Sequence, residues 1–163
     1  MYYTFVSSPI GQLMLAGSES TLKVVGFPSG SKARSAEQDW ERNNEPFMDV
    51  ARQLGEYFDG QRHDFDLAVE PGASGFQADV LDALRRIPYG ETRSYGEVAR
   101  DIGRPKAVRA VGAANGRNPL PIVIPCHRVI GHDGDLTGFG GGLAAKRYLL
   151  DLERRYSGMF EDG

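Results

Sequence analysis

The spacing of apolar positions changes along the chain, from a strand-like period of two to a helical period. Tyr3, Phe5 and Ser7 alternate, Ser8-Pro9-Ile10-Gly11 turns the chain, and Gln12–Ala16 follows. After polar Gly17–Thr21 comes Leu22–Phe27, a run with two valines. Three short strands this close predict an antiparallel meander. Residues 28–44 hold little that is apolar and read as a loop or a frayed helix. Pro46 opens a helix with Phe47, Val50, Ala51, Leu54, Tyr57 and Phe58 on one stripe, and Gly60 ends it. Phe65–Val69 reads as a further strand. Glu70-Pro71-Gly72-Ala73 reads as a linker, which sets a boundary between units 1–72 and 73–163.

The second half is punctuated for helices. Ser74-Gly75-Phe76-Gln77 has capping-box spacing ahead of Phe76, Val80, Leu81, Leu84 and Ile87, and Pro88-Tyr89-Gly90 stops that helix. Ser94-Tyr95-Gly96-Glu97 is a second capping box, opening a short helix that closes at Gly103. Lys106–Asn115 follows with Ala107, Val108, Ala110, Val111 and Ala114, and Gly116 closes it. Two short helices joined by a Gly-containing turn make a helix-turn-helix candidate. A last helix is predicted over Leu143–Tyr156.

A length of 163 residues fits one ordinary domain or two small ones and suffices for a core. The single cysteine, Cys126, excludes an intramolecular disulfide and any zinc site that needs two thiolates. No apolar run nears the ~20 residues of a membrane span, and Met1-Tyr2-Tyr3-Thr4 lacks the basic flank of a signal peptide. A soluble cytoplasmic protein is therefore expected. The net charge of −3 argues against a polyanionic partner until its distribution is counted. Residues 1–75 hold 6 Lys/Arg and 11 Asp/Glu, whereas residues 85–128 hold 9 and 3. That basic middle suits a polyanion and equally suits a solvated helical face.

Candidate chemistry gathers in Asn118-Pro119-Leu120-Pro121-Ile122-Val123-Ile124-Pro125-Cys126-His127-Arg128-Val129-Ile130-Gly131. Three prolines disfavour helix, so an extended segment with Ile122–Ile124 buried is expected to deliver Cys126 beside His127 and Arg128. A thiolate is the reactive form of cysteine, and nearby cations and a base favour it. A lone cysteine is more often a small buried apolar residue. Adjacent strand residues also point to opposite faces, so a Cys126–His127 pair requires a bend at Pro125.

These residues resemble the methylated-DNA–protein-cysteine methyltransferases (O6-alkylguanine-DNA alkyltransferases) of the bacterial type without a zinc site. The likeness runs from about Gly75 to Arg155. It rests on Ile124–Val129, Ile87-Pro88-Tyr89-Gly90-Glu91-Thr92, Ser94-Tyr95, Arg109–Gly112, Asn118-Pro119 and Gly141-Gly142-Leu143. The resemblance implies an α+β fold, with a small ribonuclease H-like N-terminal sheet and helix followed by a mainly helical, winged-helix-like domain. It implies irreversible, single-turnover transfer of a methyl group from O6-methylguanine, and from O4-methylthymine, in double-stranded DNA to Cys126. No cofactor and no metal are implied, and the protein would act as a monomer, with association along DNA left open.

Residue by residue, Cys126 resembles the alkyl acceptor, His127 the base that activates it through water, and Glu153 the carboxylate that orients His127. Asn118 resembles the brace of the loop. Tyr95 resembles the hydroxyl that donates to the departing guanine. Arg109 resembles the side chain that fills the stack when the base is flipped out. Ser94, Ala110, Gly112, Arg117 and Arg128 complete the expected DNA contacts. The small residues of that helix suit close approach to a minor groove, and they also suit helix-on-helix packing. Tyr95, Cys126, Val129, Phe139 and Gly140 make the expected guanine pocket, and Gly138, Gly141 and Gly142 belong to its loop. Phe139 stands where many relatives carry Tyr. Two other classes remain open on sequence: a damage-recognition module that binds without reacting, and a cysteine hydrolase using Cys126 and His127.

Overall fold

The computed structural model describes residues 1–28, 34–134, 136, 139 and 141–158. Strands β1 (Tyr2–Val6), β2 (Leu13–Gly17) and β3 (Leu22–Gly26) form the expected antiparallel meander. A short β4 (Glu41–Arg42) lies parallel to β1 at the far edge, so the order is β3-β2-β1-β4. That pairing gives structure to part of the stretch expected as loop or frayed helix, while residues 29–33 lie outside the described residues. All five residues of β2 are buried. Leu13 and Leu15 face the main core, whereas Met14 and Ala16 join Val24 beneath Tyr3, Phe5, Ala36 and Trp40. Covered on both faces, β2 loses the polar half of its alternation.

A 3₁₀ turn, Glu45–Phe47, carries Pro46 and leads into α1 (Met48–Phe58), which buries Val50, Gln53, Leu54 and Tyr57. Gln53 is tolerated inside because both ends of its amide bond the Asp66 backbone, at 2.9 and 2.8 Å. Gly60 turns the chain with φ +77, and a Cβ there would lie 2.6 Å from the Tyr156 ring. The strand expected over Phe65–Val69 shrinks to a single bridge, Val69 with Leu22.

The second half contains α2 (Gly75–Arg85), β5 (Arg93–Ser94), α3 (Tyr95–Asp101), α4 (Val108–Gly116), β6 (Val129–Ile130) and α5 (Leu143–Tyr156). Strands β5 and β6 pair in parallel. The capping box at Ser94 forms as its spacing predicts: Glu97 N–H donates to Ser94 Oγ at 3.1 Å and Ser94 N–H to Glu97 at 2.9 Å. The box expected at Ser74 does not form. Gln77 reaches α4 instead and donates to the Ala114 carbonyl at 3.1 Å.

One apolar core runs through both halves, from Leu15, Phe47 and Tyr57 to Leu84, Val111, Ile124 and Leu149. Val25 N–H donates to the Pro119 carbonyl at 2.9 Å, and His63 Nε2 to the Tyr156 carbonyl at 2.9 Å. No described helix is long and apolar enough to cross a membrane.

Candidate active site and the helix pair beside it

Residues 118–131 are not the extended rod that three prolines suggest. Asn118 folds them: its Oδ1 accepts from Leu120 N–H at 3.0 Å, and its Nδ2 donates to the Ile124 carbonyl at 2.8 Å. Ile124 N–H closes the turn onto the Leu120 carbonyl at 2.8 Å. Ile122 is driven to φ +75, a conformation costly for a β-branched residue, while its side chain is fully buried in the core. The chain then enters a 3₁₀ turn, Cys126–Arg128, which places consecutive side chains on different sides of one buried locus.

Cys126 is 5 % exposed and borders a cavity of about 250 Å³. Asn115, Asn118, Pro121 and Phe139 wall that cavity from the second half, and Val25, Phe27 and Arg34 from the first. Phe139 packs edge-on against Phe27 with ring centres 5.2 Å apart. Behind the thiol, His127 is fully buried, and its Nε2 donates to Glu153 Oε2 at 2.7 Å. Nδ1 of His127 is buried and has no hydrogen-bond partner among the described residues.

Glu153 is itself 1 % exposed and is held from several directions. Arg128 binds it in two-pronged fashion, Nε to Oε1 at 2.7 Å and a terminal nitrogen to Oε2 at 3.0 Å. Tyr57 donates to Oε2 at 2.6 Å. Burial opposes ionisation of this carboxyl, yet His127 and Arg128 together hold it well below the usual carboxylate range. Because Arg128 is permanently charged, Glu153 stays ionised whether or not His127 carries a proton.

Burial lowers the pKa of His127, against the pull of Glu153, and so favours the neutral imidazole. Burial also pushes the Cys126 thiol up to about 11, against Asn118 and the charge of Lys146. At pH 7 such a thiol is ionised in roughly one molecule in 10⁴. A thiol held protonated in this way needs a base nearby before it can act as a nucleophile. Lys146 is buried on α5 and donates to the Val129 carbonyl at 2.7 Å; burial brings its pKa down to about 8.

Beside this locus, α3 and α4 form the expected helix pair. Val108, Arg109, Ala110, Ala113 and Arg117 are exposed along α4 and its end, while Val111, Ala114 and Asn115 face inward. Ser94 caps α3, and half-buried Tyr95 covers Gly112, where a Cβ would lie 3.8 Å from the ring. Exposed Arg104 and Lys106 extend the basic surface in the turn between the helices.

Two family models match in tandem: the 6-O-methylguanine DNA methyltransferase ribonuclease-like domain over residues 1–71, and the DNA binding domain of the same name over 75–155. A methylated-DNA–protein-cysteine methyltransferase of Methanosarcina acetivorans is 52% identical over 153 residues, covering 94% of this chain and 98% of its own. The chain belongs to the methylated-DNA–protein-cysteine methyltransferase family. Its counterpart in Mycolicibacterium paratuberculosis is 51% identical, over 95% of this chain and 93% of that one. Mycobacterium tuberculosis OGT, solved in complex with DNA, superposes with a TM-score of 0.90 at 46% identity, over 96% of this chain and 94% of that one.

Within this methyltransferase the expected site residues fall into three places. Cys126, His127, Glu153, Asn118 and Phe139 gather around the cavity or directly behind it. Ser94, Tyr95, Arg109, Ala110, Gly112 and Arg117 belong to the helix pair. Val129 lies on β6 with its carbonyl bonded to Lys146. Gly138 and Gly140 lie outside the described residues. Arg128 is a correction: expected against DNA, it is buried, bound to Glu153, and donates to the Ile87 carbonyl at 2.6 Å. A buried guanidinium with each of its nitrogens bonded inside the protein is not placed to meet a phosphate.

Sequence reasoning passed over Tyr57, Asn115, Lys146 and the first-half wall of Val25, Phe27 and Arg34. For Lys146 a signal existed. It shares the buried stripe of α5 with Leu149, Leu150 and Glu153, and a lysine on an apolar stripe demands a reason.

Proposed function

We propose that this family member repairs DNA by direct reversal, taking the alkyl group of O6-alkylguanine in double-stranded DNA onto its own Cys126. The observation that carries the reading is a single thiol bordering an open cavity, backed by an imidazole whose far nitrogen is fixed by a buried, ionised carboxylate. In the step, Cys126 Sγ attacks the alkyl carbon in line, the S–C bond forms as the C–O6 bond breaks, and the electron pair stays on the guanine. The thiol proton passes through a bound water to His127 Nδ1, and the imidazolium so formed is stabilised by Glu153. Tyr95 donates to the departing base. The acceptor is the protein, so no cofactor enters the step. A thioether is not hydrolysed, so each molecule acts once.

The flipped base reaches the thiol from the side of α4, with Arg109 filling the stack. In this division of labour, residues 73–163 bind DNA and react while residues 1–72 support them. O4-methylthymine is a second substrate on the same chemistry. The protein works as a cytoplasmic monomer, where a reducing environment keeps its thiol free. Intact mass spectrometry after incubation with O6-methylguanine duplex should show a stable, stoichiometric gain of about 14 Da, one CH₂, on the peptide holding Cys126. Cys126→Ser should bind the duplex and gain nothing. Reversible binding without a mass gain in the native protein would indicate a recognition module, and a transient adduct with turnover a hydrolase.

A further inference from the structure

Among the described residues, Glu153 is the only member of the proposed relay that receives a hydrogen bond from the first half of the chain. The donor is Tyr57, on α1, 96 positions away in sequence and fully buried. Its hydroxyl bonds Oε2, the oxygen that also accepts from His127 Nε2, at 2.6 and 2.7 Å. With the Arg128 nitrogen at 3.0 Å, three donors share that one carboxylate oxygen and compete for its electron density. We infer that Tyr57 is a positioning residue that sets the basicity of His127, by sharing the Glu153 oxygen on which the imidazole depends. The inference rests on the reading of Cys126, His127 and Glu153 as a relay.

Several observations support this role over a purely packing one. Burial, followed by the adjacent Glu153 charge, raises the Tyr57 pKa well above its ordinary value, so the hydroxyl remains a donor throughout the working range. The ring is fixed by Phe58, Phe65 and Tyr89, with centres 5.3, 5.4 and 6.3 Å away, which leaves the hydroxyl little freedom to turn elsewhere. The other charged or titratable groups around the carboxylate and its imidazole are Arg128 and Cys126 from the acceptor turn, Tyr89 from the α2–β5 connection and Lys146 from α5. Arg128 anchors the carboxylate through two of its nitrogens. Tyr89, its own pKa raised to about 12 by burial first and Glu153 second, is stacked on His63 at 3.7 Å. Tyr57 is thus the neutral donor whose removal alters the carboxylate without removing a charge.

The sign follows from the geometry. Without the hydroxyl, Oε2 concentrates its charge on His127, the imidazolium is favoured, and the pH at which His127 becomes a usable base rises. Tyr57→Phe keeps the ring and deletes the donor. The acid limb of its single-turnover rate on O6-methylguanine duplex should move up by roughly half a pH unit. The ¹⁵N-detected titration of His127 in the same variant should move in the same direction, a readout that does not depend on activity. Glu153→Gln and His127→Ala are measured alongside. An unmoved profile and titration in Tyr57→Phe, with altered profiles in the other two, overturns the inference and leaves the relay standing. If His127→Ala and Glu153→Gln keep the native rate and profile, the relay and the inference fall together. Loss of rate in Tyr57→Phe at every pH, with the His127 titration unmoved, also overturns it, because that is the result of a packing defect.

Discussion

Glu153 is a charged residue where an apolar one would ordinarily sit, and the groups around it explain how it is kept. Arg128 supplies the counter-charge, Tyr57 and His127 donate to Oε2, and the Gly90 N–H donates to Oε1. Such an arrangement is unforgiving of single changes. Glu153→Gln leaves the Arg128 guanidinium buried beside a neutral amide, and breaking a buried pair in this way typically costs about 3–5 kcal/mol. The same change removes the group that fixes the tautomer of His127, and transfer should slow by a factor of about 10² or more. Urea unfolding and single-turnover kinetics on one preparation measure both effects. A variant as stable as the native protein would show that the ion pair contributes nothing net.

At the scale of elements, α4 is built for close approach. Its exposed face presents Val108, Ala110 and Ala113, and Arg109 is the long cation among them. If Arg109 fills the stack vacated by the base, Arg109→Ala should slow repair of duplex roughly tenfold or more while leaving reaction with free O6-benzylguanine nearly unchanged. Equal losses on the two substrates would remove the proposed role. The helix pair was legible in the sequence because Ser94, Glu97, Gly103 and Gly116 are local signals read by the backbone around them. Cys126, His127 and Asn118 were legible as a motif. What stayed hidden depends on distant partners. Gln77 looked like the far end of a capping box until α4 offered it a carbonyl. Arg128 looked like a free cation until Glu153 came within 2.7 Å. Tyr57 looked like one more aromatic on the stripe of α1, since nothing in its neighbourhood tells where a hydroxyl will point.

Across the whole molecule His127 and Glu153 make stability depend on pH in one direction on the acid side. The folded pKa of His127 lies below its ordinary 6.5, so as pH falls through that value the unfolded chain takes up a proton that the folded chain refuses. The folded pKa of Glu153 also lies below its ordinary 4.5, so its contribution is full above that value and is lost as pH falls further. Both shifts weaken the fold on acidification. The urea midpoint should fall progressively below about pH 6.5 in the native protein and more gently in His127→Asn. A midpoint flat from pH 7 to pH 5 would contradict the assignment of a neutral buried imidazole.

The outer side of β3 has a further significance. Its Val25 N–H is bonded to the Pro119 carbonyl, and Leu22 exchanges bonds with residues 68 and 70. Left unpaired, such an edge is where one polypeptide recruits another, and the usual defences are charge, proline or a covering segment. Here the covering segment is partly the turn that presents the acceptor thiol. Loosening that turn would unseat the thiol and, in the same movement, open a template for strand addition. The turn that seats the nucleophile is thus also part of what shields the sheet from another chain.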